Sequence, residues 1–338
     1  MLSSNIINPF GITRRVLFIS FIRKNPLKQV KYYKLSINNR SIYNKMQKIQ
    51  LSKIHNSALT KIAPILFDVS LRDGIQGADP SKYDTCVKFK WLKEIHETYN
   101  PPKMEIGSFV SPKVLPIMAD TPTIFKYASA SIPSDLYVLV PNKTGLLSAI
   151  DCGARNFSFI TSVSNAFQVK NTRRNLEYKK AELSEMLQEI AKIETPCKTK
   201  LYVSCINQCP LVGLIDNDVV LNEVLSSYAY VDSLDEICLS DTMGTLKCSD
   251  FEYIVDGFAR FGLAKNRISL HLHIGDDNSS EAKRILFACF KRGIRRFDVS
   301  AIMEGGCSVS MKSSQLKPNM TYEFFYSALE EYLTDEAR

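Results

Sequence analysis

Acidic residues are missing from the start of this chain. The first 67 residues contain twelve Lys or Arg and no Asp or Glu, the first acid being Asp68. The whole chain carries a net charge of +8, so the remainder is acidic on balance and the basic character belongs to a leader. That distribution removes any argument for nucleic-acid binding by the body of the protein. Long apolar runs are absent too: none approaches the ~20 residues that cross a bilayer, and no membrane span is expected. Nine cysteines are present (Cys86, Cys152, Cys197, Cys205, Cys209, Cys238, Cys248, Cys289 and Cys307), but none belongs to a CxxC pair and their number is odd. This excludes a zinc ribbon or a disulfide framework and points to free thiols in a reducing compartment. Histidine is scarce, with four in 338 residues.

Residues 1–60 are rich in Asn, Ser, Ile and Lys and intersperse basic residues with Leu17, Phe18, Leu27, Tyr32 and Leu35. This pattern reads as an organelle transit peptide, which makes the mitochondrial matrix the expected address. A secretory signal is disfavoured because the apolar stretch from Val16 to Ile22 is short and broken by Ser20. The alternatives are a disordered basic tail, or an extension before a second start at Met46, either of which leaves a cytoplasmic protein.

The body has the composition of an ordinary soluble domain, 45% hydrophobic and 23% charged over the whole chain. Strand-like runs recur at 65–70, 103–109, 135–140, 156–163, 200–206, 235–241, 268–274 and 295–301. Segments with helical spacing lie between most of them, at 83–99, 175–193, 219–230, 249–261 and 280–291, and a last one at 322–333 closes the series. Alternating strands and helices at this repeat predict a (β/α)8 TIM barrel over residues 61–338. A doubly wound open sheet is the main alternative, although no GxGxxG turn follows the first strand.

Two of the four histidines stand together in Arg267-Ile-Ser-Leu-His-Leu-His-Ile274. Ile268, Leu270, Leu272 and Ile274 alternate with Ser269, His271 and His273, so both imidazoles leave the same face of a strand and can share one metal ion. The other reading is a polar strand face filled by hydrogen-bonded histidines. In a barrel the chemistry gathers where the strands end. The first strand there runs into Arg72-Asp73-Gly74-Ile75-Gln76, the second carries Glu105, the sixth ends in Ser240-Asp241-Thr242, and the eighth leads to Glu304-Gly305-Gly306-Cys307. Each has an ordinary explanation: a loop ion pair for Arg72 and Asp73, a helix cap for Asp241, a solvated charge for Glu304, an inert thiol for Cys307. Their common placement at one mouth favours a site.

These segments, with Glu105-Ile-Gly-Ser-Phe-Val-Ser-Pro-Lys113, Met118-Ala-Asp120, Tyr202-Val-Ser-Cys205 and Cys209-Pro210, resemble hydroxymethylglutaryl-CoA lyase in the family's order over roughly residues 62–333. The Arg-Asp-Gly and His-x-His motifs are shared with a wider group of metal-dependent barrels, whereas the SFVSPK stretch and the Gly-Gly-Cys turn point to the lyase branch. The resemblance implies an acyl-CoA substrate and a divalent cation, Mg or Mn before Zn, bound by Asp73, His271 and His273. An Asn from the loop after the cysteine would be a further ligand, and Asn319 is the candidate. It also implies that Arg72 holds the thioester oxygen, that Cys307 delivers a proton, and that Asp241 and Glu105 orient ligands or assist proton transfer. Neither nucleic acid nor membrane is expected as a partner, and a homodimer is a candidate assembly.

Two loops depart from the family pattern. After His273 the usual Asp-Thr-Tyr-Gly is replaced by Ile274-Gly-Asp-Asp277, and the run from Cys307 to Asn319 is longer and includes Pro318. These departures keep two other readings open: a Claisen-type acyltransferase or aldolase of the same barrel group, and a catalytically silent barrel.

Overall fold

Along each barrel strand, alternate residues face two different environments. The computed structural model describes residues 62–229, 231–304 and 317–336. The basic leader and the segment Gly305-Gly306-Cys307 lie outside these residues. The strands are Ile65–Asp68 (β1), Lys103–Ser108 (β2), Asp135–Leu139 (β3), Asn156–Ser162 (β4), Lys198–Ser204 (β5), Glu236–Asp241 (β6), Ile268–Leu272 (β7) and Arg296–Val299 (β8). They pair in parallel in chain order, and β8 returns to β1 to close the barrel. Closure rules out the open doubly wound sheet. Leu66, Met104, Val138, Leu201, Ile237 and Leu270 point outward and belong to one continuous core shared with the surrounding helices. Their burial from water is the main term holding the ring together, at roughly 25 cal/mol per Å² of apolar surface.

Inward-pointing residues are of another kind. Small apolar groups form around Phe67 and Tyr137, and around Leu139, Tyr202 and Cys238. Between them run charged side chains, including Glu236, Asp298 and the wholly buried Lys200. A polar barrel interior is costly unless each charge is paired, and here Lys200 pairs with both Glu236 and Asp298.

The helix Tyr322–Glu336 covers the seam between β8 and β1. Phe325 packs on Phe290 and Phe297, and the Tyr322 hydroxyl donates to Asp68 Oδ2 at 2.9 Å. Helices Thr121–Ser131, Lys143–Asp151 and Asn165–Thr172 were not among the expected elements. They are short; Pro122 falls in the first turn of one, where proline is tolerated, and Gly145 weakens the helical signal of another. Local capping compensates: Asn142 accepts from the Gly145 amide at 2.8 Å, and Ser164 from the Phe167 amide at 3.3 Å, each cap being worth about 1 kcal/mol. Among the described residues no helix is long and apolar enough to cross a membrane.

Because β1 starts at Ile65, a chain beginning at Lys61 retains every barrel strand. The leader's like charge and sparse apolar patterning give it little with which to build a core. Such a truncation is expected to stay soluble and to melt within a few degrees of the full chain by circular dichroism. Aggregation of the truncated protein alone would show that the leader is structural.

Candidate active site

At the carboxyl end of β1 the chain turns sharply into the short helix Asp73–Gln76. The turn is tied to β8, since the Ala301 amide donates to Ser70 Oγ at 2.8 Å. Gly74 makes the approach feasible. A Cβ at that position would stand 2.5 Å from Ser300 Oγ and 2.9 Å from the Ile302 carbonyl oxygen. The Arg-Asp-Gly sequence therefore lies flat against β8 and carries Arg72 and Asp73, both buried, into the mouth.

β7 delivers the histidines. Its period-2 alternation sends Ile268, Leu270 and Leu272 to the core and His271 and His273 inward, where their Nε2 atoms face one another at 3.2 Å. Each Nδ1 is committed on the far side of its ring: that of His271 to Asp298 Oδ2 at 3.1 Å, that of His273 to the Lys317 carbonyl at 2.9 Å. A carbonyl only accepts, so Nδ1 of His273 carries the proton and its Nε2 is bare when the ring is neutral. Burial, reinforced by the neighbouring His271, pulls His273 down to about 4 and keeps it neutral near pH 7. Asp73 Oδ2 lies 3.6 Å from His271 Nε2. Burial alone would raise the Asp73 carboxyl, but Arg72, His271 and His273 outweigh it and hold the group well below the usual carboxylate range.

One ligand atom from each of Asp73, His271 and His273 lies within 4.8 Å of the others. Asn319 is brought beside them by a backbone bridge to His273. Asp73 Oδ2 and both amide atoms of Asn319 are buried without a hydrogen-bond partner, although such atoms are rarely left unsatisfied. The bare Nε2 of His273, the Nε2 of His271 and an unpartnered carboxylate oxygen converge on one point, an arrangement that a bound cation would satisfy. The residues thus fit a divalent cation, and a mixed imidazole and carboxylate set suits Mg, Mn or Zn.

Arg72 is fixed from three directions. Its Nε donates to Glu105 Oε2 and its Nη1 to Asp73 Oδ1, and its guanidinium carbon sits 5.0 Å above the Tyr202 ring. The Tyr202 hydroxyl donates to the same Glu105 oxygen at 3.3 Å. Burial, with Asp298 and Glu105 nearby, raises the Tyr202 phenol well above its ordinary value and keeps that proton in place. Arg72, Asp73, His271 and His273 form the polar side of a cavity of about 110 Å³, and Leu115, Leu139, Ile160 and Phe167 form its apolar side.

Other residues expected at the mouth are placed differently. Glu105 contacts Arg72 and Tyr202 from beneath and does not line the cavity. Asp241 accepts from the Thr245 and Leu246 amides at 3.0 and 3.1 Å, so it holds the turn after β6. Burial pushes its carboxyl up to about 6. Glu304 stands at the rim, where it accepts from the Tyr83 hydroxyl at 3.1 Å. Cys307 lies outside the described residues. Three groups at the site escaped the sequence reading: Asp298, Lys200 and the Lys317 carbonyl. Asp298 and Lys200 had a usable signal, since both occupy inward positions of their strands.

A closed parallel barrel whose carboxyl mouth gathers a carboxylate, two facing imidazoles and an anchored guanidinium is a (β/α)8 enzyme with a candidate divalent-cation centre. The chain is 28% identical over 250 residues to the hydroxymethylglutaryl-CoA lyase YngG of Bacillus subtilis, covering 73% of this chain and 79% of that one. It is 27% identical to the mitochondrial hydroxymethylglutaryl-CoA lyase of Gallus gallus, with 73% and 80% covered. This chain is a divergent relative of the hydroxymethylglutaryl-CoA lyases. Among solved structures, the lyase of Acinetobacter baumannii in complex with coenzyme A and 3-methylmalate superposes with a TM-score of 0.69 at 25% identity, over 79% of this chain and 83% of that one. No family model matches.

Proposed function

We propose that this protein cleaves 3-hydroxy-3-methylglutaryl-CoA, or a close 3-hydroxyacyl-CoA, to acetyl-CoA and acetoacetate. The observation that carries the reading is the convergence of Asp73, His271 and His273 beside an immobilised Arg72 in one cavity. Mg or Mn is the proposed cation, with Asp73, His271, His273 and Asn319 as its ligands. Such a cation, when bound, lowers the pKa of a chelated alcohol and orients the substrate.

The reaction removes a proton from the tertiary alcohol and breaks the bond between the carbinol carbon and the thioester's α-carbon. The bonding pair passes to the thioester as an enolate, which then takes a proton at carbon. Arg72 is suited to the thioester oxygen, where negative charge develops. It is a permanent cation, and its contacts with Glu105, Asp73 and Tyr202 limit its reorganisation as that charge forms. Glu105 and Tyr202 keep the guanidinium oriented. His273, neutral through burial, would offer its Nε2 lone pair to the proposed metal cation. The apolar wall around Leu139 and Ile160 excludes water from the acyl group. Asp241, which braces the turn after β6, acts on the site through the shape of that loop.

Cys307, on the Gly305-Gly306 turn, is the proposed donor of the proton to the enolate carbon. Cys307→Ser is expected to retain fold and cation yet lose ~10²- to 10⁴-fold in kcat, as removal of a general acid does. An unchanged rate in a wild-type-active preparation would remove Cys307 from the mechanism. Acetoacetate release by the purified full chain with Mg²⁺ or Mn²⁺ tests the function as a whole. No release with a metal-loaded, folded protein would overturn it.

The basic leader supports a mitochondrial address for the enzyme. Residues 1–60 fused to a fluorescent protein are expected to direct it to mitochondria, and a diffuse cytoplasmic signal would contradict that address.

A further inference from the structure

The charged interior of the barrel forms a column that ends on a histidine. At the amino-terminal end, Glu236 Oε2 meets Lys103 at 3.3 Å and Arg296 at 2.9 Å. Glu236 Oε1 lies 3.1 Å from Lys200 Nζ, which sits over the Phe67 ring at 3.8 Å and pairs with Asp298 Oδ1. The second Asp298 oxygen faces His271 Nδ1 at 3.1 Å, with the Cys238 thiol 3.8 Å away. Charge alternates at every step: cations, Glu236, Lys200, Asp298, then the imidazole. Glu236, Lys200, Asp298 and His271 are buried, with Lys103 and Arg296 partly exposed at the foot, and an unpaired buried member would carry a heavy desolvation cost.

We propose that Asp298 is a positioning residue for the cation centre: held by Lys200, its carboxylate fixes His271 in the Nδ1–H form and aims the bare Nε2 at the site. The inference rests on reading Asp73, His271 and His273 as ligands. The ring of His271 has two tautomers, and only one leaves Nε2 free to bind. A carboxylate that receives Lys200 on one oxygen presents lone pairs on the other, so the imidazole donates to it. The opposite tautomer would set lone pair against lone pair at Nδ1 and, with its proton donated to His273 Nε2, would leave no lone pair for a cation. Lys200 matters because it fixes which oxygen faces the histidine. Asp298 shares the inward register of β8 with Arg296, which is why one side chain links the foot of the barrel to its mouth.

The test uses the full chain. With four histidines in the sequence, long-range proton–nitrogen spectra of the metal-free, ¹⁵N-labelled protein at mildly alkaline pH resolve the tautomer of each. His271 is expected as Nδ1–H in the wild type. In Asp298→Asn the amide presents a donor as readily as an acceptor, so the Nε2–H form should appear. The Kd for Mn²⁺ alone, by calorimetry, should rise ~10- to 100-fold, the usual effect of losing such a partner. Cys238→Ala removes only a long thiol contact to Asp298 Oδ2 and leaves the Lys200 and His271 contacts of that carboxylate in place, and should change neither readout.

Three results would overturn the proposal: an Nε2–H His271 in the wild type, an unchanged tautomer with unchanged Mn²⁺ affinity in folded Asp298→Asn, or an equal loss in Cys238→Ala. The wild-type spectrum decides the matter even if Asp298→Asn does not fold. A wild type that binds no Mn²⁺ refutes the ligand reading itself, whereas equal binding by wild type and Asp298→Asn refutes only this inference.

Discussion

Arg72→Ala is expected to bind Mn²⁺ at least as tightly as the wild type and to lose at least ~10²- to 10³-fold in kcat, the range seen when a donor to a developing oxyanion is removed. The two halves of that expectation have separate causes. Arg72 is a cation within hydrogen-bond reach of Asp73, so its removal takes away repulsion toward a metal ion and leaves all the proposed ligands in place. The same removal strips the cavity of the permanent positive charge proposed to face the thioester oxygen. Glu105 would then be buried without its ion-pair partner, and breaking a buried pair from one side commonly costs about 3–5 kcal/mol of stability. Arg72→Lys is therefore the companion variant. It keeps a charge against Glu105 but cannot span Glu105 and Asp73 with a planar fork, so kcat should still fall while the melting temperature stays closer to wild type. Elemental analysis and steady-state kinetics on both variants check the separation. If Arg72→Ala loses metal and turnover together, the arginine is a structural brace for the ligands and not the thioester's partner.

The second large effect belongs to the proposed ligands. His271→Ala and Asp73→Ala each remove one of three converging donors and should weaken Mn²⁺ binding by more than about 100-fold, beyond the 10- to 100-fold typical of groups one shell further out. Turnover should disappear with the metal. Neither variant should unfold the barrel, because both side chains sit at the mouth and the core cluster under the helices does not include them. Metal content equal to wild type in both would mean that the histidine pair is only a polar filling of the strand face.

Much of the architecture was legible because it is written in local periodicities. All eight strands occur within two residues of their expected ends, since each alternates an apolar residue for the helix layer with another for the interior. The His271 and His273 pairing was legible for the same reason. Four helices were missed where length and composition blurred the 3.6-residue signal: Asp73–Gln76 spans a single turn, and Lys143–Asp151 spans only nine residues and includes Gly145. At the site, residue types indicated which side chains are candidates for chemistry but not which way they turn. The family resemblance made Asp73 a ligand and gave Asp241 and Glu105 orienting or proton-transfer roles, but residue type alone did not show what each acid contacts. In the barrel, Asp241 is taken up by two loop amides, Glu105 by Arg72 and Tyr202, and only Asp73 leaves an oxygen directed at the histidines.

By itself, then, the sequence determined the strand and helix order, the inward face of β7, the acid-free leader and the set of residues able to bind a cation or stabilise an anion. These follow from patterns within a few residues of one another. Tertiary structure alone decided that Gly74 lets the Arg-Asp turn lie against β8, that Lys317, forty-four positions beyond His273, supplies the carbonyl that sets its proton, and that Lys200 reaches Asp298 across the barrel axis. Each of those contacts joins segments far apart in the chain, and its geometry comes into being only when the sheet closes and brings every strand within reach of the rest.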